Sequence, residues 1–91
     1  MVMYRLEITT KAKKEIALYK RSDVASYKKI SKLLLELQQH PRSGTGHPEP
    51  LTQGNNQLYS RRINKKDRLI YNIYDEVVTV LVLTTKGHYS D

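Results

Sequence analysis

The chain contains no cysteine, tryptophan or phenylalanine among its 91 residues. Without cysteine there is neither a disulfide framework nor a thiolate metal site. The three histidines, His40, His47 and His88, have no metal-ligand spacing, so zinc is excluded and no cofactor is expected. No Ser-His-Asp or Cys-His pairing is signalled. Long apolar runs are missing as well. The longest, Val77 to Leu83, is far too short to cross a bilayer. The N-terminus lacks the apolar core of a signal peptide, which predicts a cytoplasmic protein with no membrane partner. Acid is scarce: nine Asp and Glu stand against sixteen Lys and Arg, a net charge of +7.

What is present fits one small α+β domain spanning residues 1–91. Hydrophobic residues make up 38% of the chain, enough for a thin core. The charge favours a polyanionic partner. It is concentrated in residues 1–40, with nine basic residues against four acidic ones. Lysine-rich solvated helix faces account equally well for that excess.

Residues 3–8 alternate apolar and polar, predicting a strand. Thr9 or Thr10 can cap a helix carrying Ala12, Ile16 and Tyr19. Lys20 to Asp23 reads as a break and a second cap. Val24, Tyr27, Ile30, Leu34 and Leu37, widened by Leu33, then form a helical stripe opposite Lys28, Lys29 and Lys32. Residues 40–56 are loop by composition. Gly44-Thr45-Gly46 suggests a phosphate loop, but no Gly-Lys-Ser/Thr follows and that reading is rejected. Three strands follow, at 57–63, 68–74 and 77–84, the last reading as buried on both faces. Tight turns at Asn64–Asp67 and Tyr74–Glu76 predict an antiparallel meander with the helical hairpin on one face. The first strand is free to join at an edge.

The chemically suggestive residues fall in the second half. Pro48 and Pro50 flank Glu49 and set its carboxylate at a defined angle. Such a carboxylate can act as a general base; a stiff connector with a solvated acid fits equally. Arg62 and Arg68 are candidate phosphate ligands, since a guanidinium fork matches phosphate oxygens. Arg61 and Arg62 fall on opposite faces of a regular strand, and alternation alone does not say which points inward. His88 is a candidate acid and Tyr89 a stacking or hydrogen-bonding neighbour, unless Lys86 to Asp91 is simply a polar tail. An acid, fixed cations and a histidine suffice to cut RNA through its own 2′-OH without a metal.

Gly44-x-Gly46-x-Pro48-Glu49-Pro50-Leu51, Tyr59-Ser60-Arg61-Arg62-Ile63, Arg68-Leu69-Ile70-Tyr71 and His88-Tyr89 together resemble the YoeB/Txe toxins of the RelE/ParE superfamily. The resemblance is strongest over residues 41–71; the first 40 residues match in pattern only. It implies a RelE-like fold and ribosome-dependent cleavage of mRNA in the A site. Glu49 would be the general base and His88 the general acid. Arg68 would stabilise the transition state, Arg62 and Arg61 would bind substrate, and Tyr89 would order the site or stack on mRNA. The basic helix faces, Lys13, Lys14, Lys28, Lys29 and Lys32, are expected to contact ribosomal RNA. A cognate antitoxin is the implied protein partner, with operator DNA reached only through it, and such toxins often dimerise.

Three departures from the family pattern bear on the site. Thr52 stands where a lysine is usual, Ser90-Asp91 follow the tyrosine, and Lys86-Gly87 is expected to add flexibility ahead of His88. Two other readings are open. One is a non-catalytic or ParE-like toxin that binds gyrase or acts only with antitoxin and operator. The other is a basic RNA-binding domain without catalysis.

Overall fold

A threonine and an aspartate set the first half of the fold. Thr9 follows β1 (Arg5–Ile8) and caps α1 (Thr10–Ser22), its hydroxyl oxygen accepting from the Ala12 N–H at 3.1 Å. The same hydroxyl donates to the Leu83 carbonyl at 2.9 Å, tying the start of the helix to the last strand. Asp23 closes α1 and opens α2 (Val24–Gln39), accepting from the Ser26 N–H at 3.1 Å and its hydroxyl at 2.7 Å. A single residue therefore separates the two helices, giving the expected hairpin. The computed structural model describes residues 3–51 and 57–87. Among them no helix is long and apolar enough to cross a membrane.

The remaining elements are β2 (Glu49–Pro50), β3 (Leu58–Arg62), β4 (Arg68–Tyr74) and β5 (Thr79–Gly87), in the sheet order β1-β5-β4-β3-β2. β2 to β5 are antiparallel, as expected of a meander. The sheet is nevertheless mixed, because β1 takes the free edge of β5 in parallel, with Arg5 opposite Thr79 and Ile8 opposite Val82. That direction lets Thr9 bond both Val82 and Leu83 where α1 begins.

The core is one-sided. Ala12, Tyr19, Ile30, Leu33 and Leu37 from the helices pack on Ile63, Leu69, Tyr71, Ile73, Val80 and Val82 from the sheet. Each fully buried large aliphatic or aromatic side chain contributes about 1.5–3 kcal/mol. The last strand differs from the expectation of 77–84. Asp75–Val77 form a 3₁₀ turn and Val78 turns left-handed at φ 49°, so pairing starts at Thr79. Its apolar run is not buried on both faces either: Val80 and Val82 are fully buried, whereas Leu81 and Leu83 are half-buried. The β4–β5 register shifts twice between Arg68 and Tyr71. Beyond the shift Thr84 and Thr85 both reach Glu15 of α1, the Thr85 N–H donating at 2.8 Å. Lys86 and Gly87 then continue β5 rather than loosening it. Gly87 faces Arg68, and a Cβ there would collide with the Ile70 side chain.

The loop between α2 and β2 turns on left-handed residues, with Gly44 at φ 119°, Gly46 at φ 84° and His47 at φ 54°. A Cβ at Gly46 would lie 2.9 Å from the Arg62 carbonyl and 3.1 Å from a Leu33 methyl. Gly46→Ala is expected to destabilise the protein by about 1–3 kcal/mol, because the left-handed strain and the clash with fixed backbone act together. Urea unfolding measures the change, and a shift within error of zero would contradict it.

Candidate active site

β-strand alternation divides the sheet into a face under the helices and a face without them. Tyr59, Arg61 and Ile63 point to the helices with Leu69, Tyr71 and Ile73. Leu58, Ser60, Arg62, Arg68, Ile70 and Asn72 therefore lie on the open face. Strand register groups the candidate residues there. Glu49 is directly opposite Ser60, Arg62 directly opposite Arg68, and Arg68 opposite Gly87. Residues two apart on a neighbouring strand sit roughly 7–8 Å apart, which places Glu49 within reach of the Arg62 side chain. Glu49 and Arg62 are exposed, whereas Arg68 is only 8% exposed and Ser60 is buried between them. Two arginines directly opposite each other concentrate positive charge, suiting a polyanion. An exposed carboxylate beside that pair can take a proton while the arginines hold a phosphate. His88, Tyr89 and Thr52 lie outside the described residues.

Arg61 does not join this group. Its side chain is 0% exposed, so substrate cannot reach it and the expected substrate contact is withdrawn. All five of its N–H groups are used. Nε donates to the Tyr71 hydroxyl at 3.0 Å. Nη1 donates to Glu36 Oε1 at 2.9 Å and to the Thr45 carbonyl at 3.2 Å. Nη2 donates to the carbonyls of His40 at 2.5 Å and Ser43 at 2.8 Å. The Tyr71 hydroxyl in turn donates to the Pro41 carbonyl at 2.7 Å. Glu36 accepts from the Thr45 N–H at 2.8 Å and its hydroxyl at 2.6 Å. The Arg62 N–H donates to the Gly46 carbonyl at 2.6 Å, closing the loop onto β3 two residues from where β2 pairs. Gly44 and Gly46 thus pack against Glu36 and Arg61 instead of cradling a phosphate.

A second support lies behind Arg68. The Tyr19 hydroxyl donates to Asp67 Oδ2 at 2.5 Å, and Lys86 Nζ is 3.5 Å from the same oxygen and 4.1 Å above the Tyr19 ring. Asn64 Oδ1 accepts from the Lys66 and Asp67 N–H groups, and its amide donates to the Ser26 hydroxyl at 2.9 Å. The β3–β4 turn is therefore held to the start of α2, which fixes where Arg68 begins its strand. Neither support was anticipated from the sequence. Tyr59 and Ile63 flanking Arg61 were the signal that its face is the apolar one. Glu36 and Asp67 carry no comparable signal, because their partners are 25 and 48 residues away.

Of the basic helix residues, Lys13, Lys14, Lys28 and Lys32 are exposed and Lys29 is half-buried. Among the described residues no group of three His, Cys, Asp or Glu could hold a metal ion.

The profile of the family described as YoeB-like toxin of bacterial type II toxin-antitoxin system matches residues 8–89. Toxin YoeB of Mycobacterium bovis is 38% identical over 68 residues, which cover 75% of this chain and 78% of that protein. The YoeB dimer from Staphylococcus aureus has a similar structure, with a TM-score of 0.81 at 28% identity, covering 97% of this chain and all of that one. The toxin in the YoeB–YefM complex of the same organism superposes with a TM-score of 0.76 at 28% identity, covering 94% and 98% of the two chains.

The two supports predict an acid limit. Burial by itself would raise the Glu36 carboxyl, but the Thr45 hydroxyl, the Thr45 N–H and Arg61 outweigh it and hold the group below its usual range. Burial likewise opposes, and the Tyr19 hydroxyl and Lys86 overcome, at Asp67. A carboxyl depressed in the folded state contributes stability above its unfolded value and loses it as pH falls through the folded one. Stability should therefore fall as pH drops below about 4. Glu36→Gln should lower stability at neutral pH and flatten that acid limb. Urea midpoints measured against pH check this, and an unaltered limb in the variant would refute it.

Proposed function

Because the chain belongs to the YoeB-like toxins of bacterial type II toxin–antitoxin systems, we propose that it is a ribosome-dependent, metal-independent endoribonuclease acting on mRNA. The observation that supports this reading is the register on the open face, with Glu49 opposite Ser60 and Arg62 opposite Arg68. The Glu49 carboxylate takes the proton of a ribose 2′-OH, and the freed oxygen attacks the adjacent phosphorus. Arg62 and Arg68 offset the charge on the phosphorane. His88 protonates the departing 5′ oxygen, leaving a 2′,3′-cyclic phosphate and a 5′-hydroxyl. Tyr89 orders or stacks on the substrate. Ionised arginines and positioned acid–base groups of this kind suffice for transesterification.

The exposed lysines of both helices supply the contact with ribosomal RNA. A cognate antitoxin, the class of partner bound to the toxin in the Staphylococcus aureus toxin–antitoxin complex, restrains the toxin by covering the Arg62 and Arg68 surface. Pairing as a homodimer and a cytoplasmic location belong to the same reading, with operator DNA reached only through the antitoxin.

Cleavage of mRNA on purified ribosomes tests the chemistry. Glu49→Ala and Arg62→Ala should each lose about 10²-fold or more in rate with the fold retained, since both side chains are exposed. The same cleavage pattern from wild type and from Glu49→Ala combined with His88→Ala would end the catalytic claim. Inhibition of gyrase supercoiling without mRNA cleavage would favour the ParE-like alternative. Reversing charge at Lys13, Lys14, Lys28 and Lys32 should weaken ribosome binding and flatten its salt dependence, leaving unfolding unchanged. Sedimentation with ribosomes reads that affinity, and an unaltered value would remove the helices from the interface.

A further inference from the structure

We propose that Arg61 and Glu36 form a positioning pair for Glu49, fixing where the exposed carboxylate meets the substrate without either residue touching it. This rests on Glu49 being the base. Glu49 follows a loop with no regular backbone ladder of its own, yet that loop is held at almost every step. Arg61 takes the carbonyls of His40, Ser43 and Thr45, Tyr71 takes Pro41, and the Arg62 N–H takes Gly46. Glu36 holds Thr45 from the other side through its N–H and hydroxyl. Arg42 adds an outer tether, bonded to Asp75 at 2.7 Å and to the Gln57 side chain. A two-residue strand cannot set its own register. The register of β2 on β3 is therefore fixed upstream, by the buried guanidinium.

The arrangement links base and cation. Arg61 and Arg62 are consecutive, so one residue holds the loop that delivers Glu49 while the next faces the substrate. The Arg62 N–H to Gly46 bond joins the two directly. A shift in the Arg61 guanidinium moves the carboxylate relative to Arg62, and a misplacement near 1 Å costs about 10²-fold in rate.

Three variants separate positioning from stability. Arg61→Lys keeps the charge and loses the planar fork. Glu36→Gln keeps the shape, and Thr45→Val removes one hydroxyl bond, so both milder changes serve if Arg61→Lys fails to fold. Cleavage on ribosomes is measured with folded protein at saturating and limiting ribosome concentrations. The expected result is a kcat loss of about tenfold or more at nearly unchanged KM. No further loss should appear when Glu49 is already alanine. Amide exchange at Thr45 and Arg62 should quicken in the same variants while core amides stay protected.

Unchanged kcat in folded variants with an inactive Glu49→Ala would overturn the proposal alone, as would an equal fold-loss with and without Glu49. Full activity of Glu49→Ala would overturn the base assignment and the positioning claim with it.

Discussion

The interaction on which the rest of the structure depends is the buried guanidinium of Arg61. An unpaired cation in a protein interior is prohibitively costly, and this one is tolerated because each of its five N–H groups has an acceptor. Removing one partner of such a buried pair typically costs about 3–5 kcal/mol, because the other is left uncompensated. Glu36, with 24% of its side chain exposed, supplies the countercharge from α2. Tyr71 supplies a hydroxyl from β4 and stacks on Tyr59 of β3 at 6.1 Å between ring centroids. One side chain thus joins the second helix, the irregular loop and the centre of the sheet. With no phenylalanine or tryptophan and a one-sided core, this polar joint does work that apolar packing performs elsewhere in the molecule.

Charge is divided accordingly between the two faces. The helix face takes an arginine as a structural member and neutralises it completely. The open face sets Arg62 opposite Arg68 and leaves Glu49 exposed, with polar Ser60 buried between them. Adjacent arginines do opposite work because successive side chains on a strand point to opposite faces. Asp67 and Arg68 repeat the pattern. Asp67 turns inward to Tyr19 and Lys86, anchoring the turn, while the next residue opens onto the candidate site.

Much of this was legible in the sequence, and the reasons for the rest are physical. Periodicity located both helices and the meander, and Thr9 or Thr10 and the Lys20 to Asp23 break announced the caps, because these are local effects. The strand at Glu49 and Pro50 was not legible, since two residues, one of them a proline, carry no alternation and follow a stretch that is loop by composition. The start of β5 was missed for a related reason. Val77 and Val78 look like strand residues, but the 3₁₀ turn and the left-handed Val78 delay pairing until Thr79. The grouping of Glu49, Arg62 and Arg68 could be suspected from spacing but needed the register to become a geometry. Tyr59 and Ile63 on its face hint at the inward direction of Arg61, although alternation alone left it open, whereas its partner Glu36 gave no sign, because that contact is long-range and ionic.

This division has a consequence for how such a domain tolerates change. Glu49 and Arg62 project from the open face and contribute nothing to the helix-side core, so chemistry there can vary without unfolding the chain. The supports have no such freedom. Gly44 and Gly46 are held by left-handed backbone and by the bulk of Glu36, Leu33 and Arg61, and Gly87 by Ile70. A residue that never reaches the open face can therefore be harder to replace than the exposed carboxylate that follows its loop. Glu49 sits on a two-residue strand whose position depends on the loop before it, and that loop is held by a cation sealed from solvent.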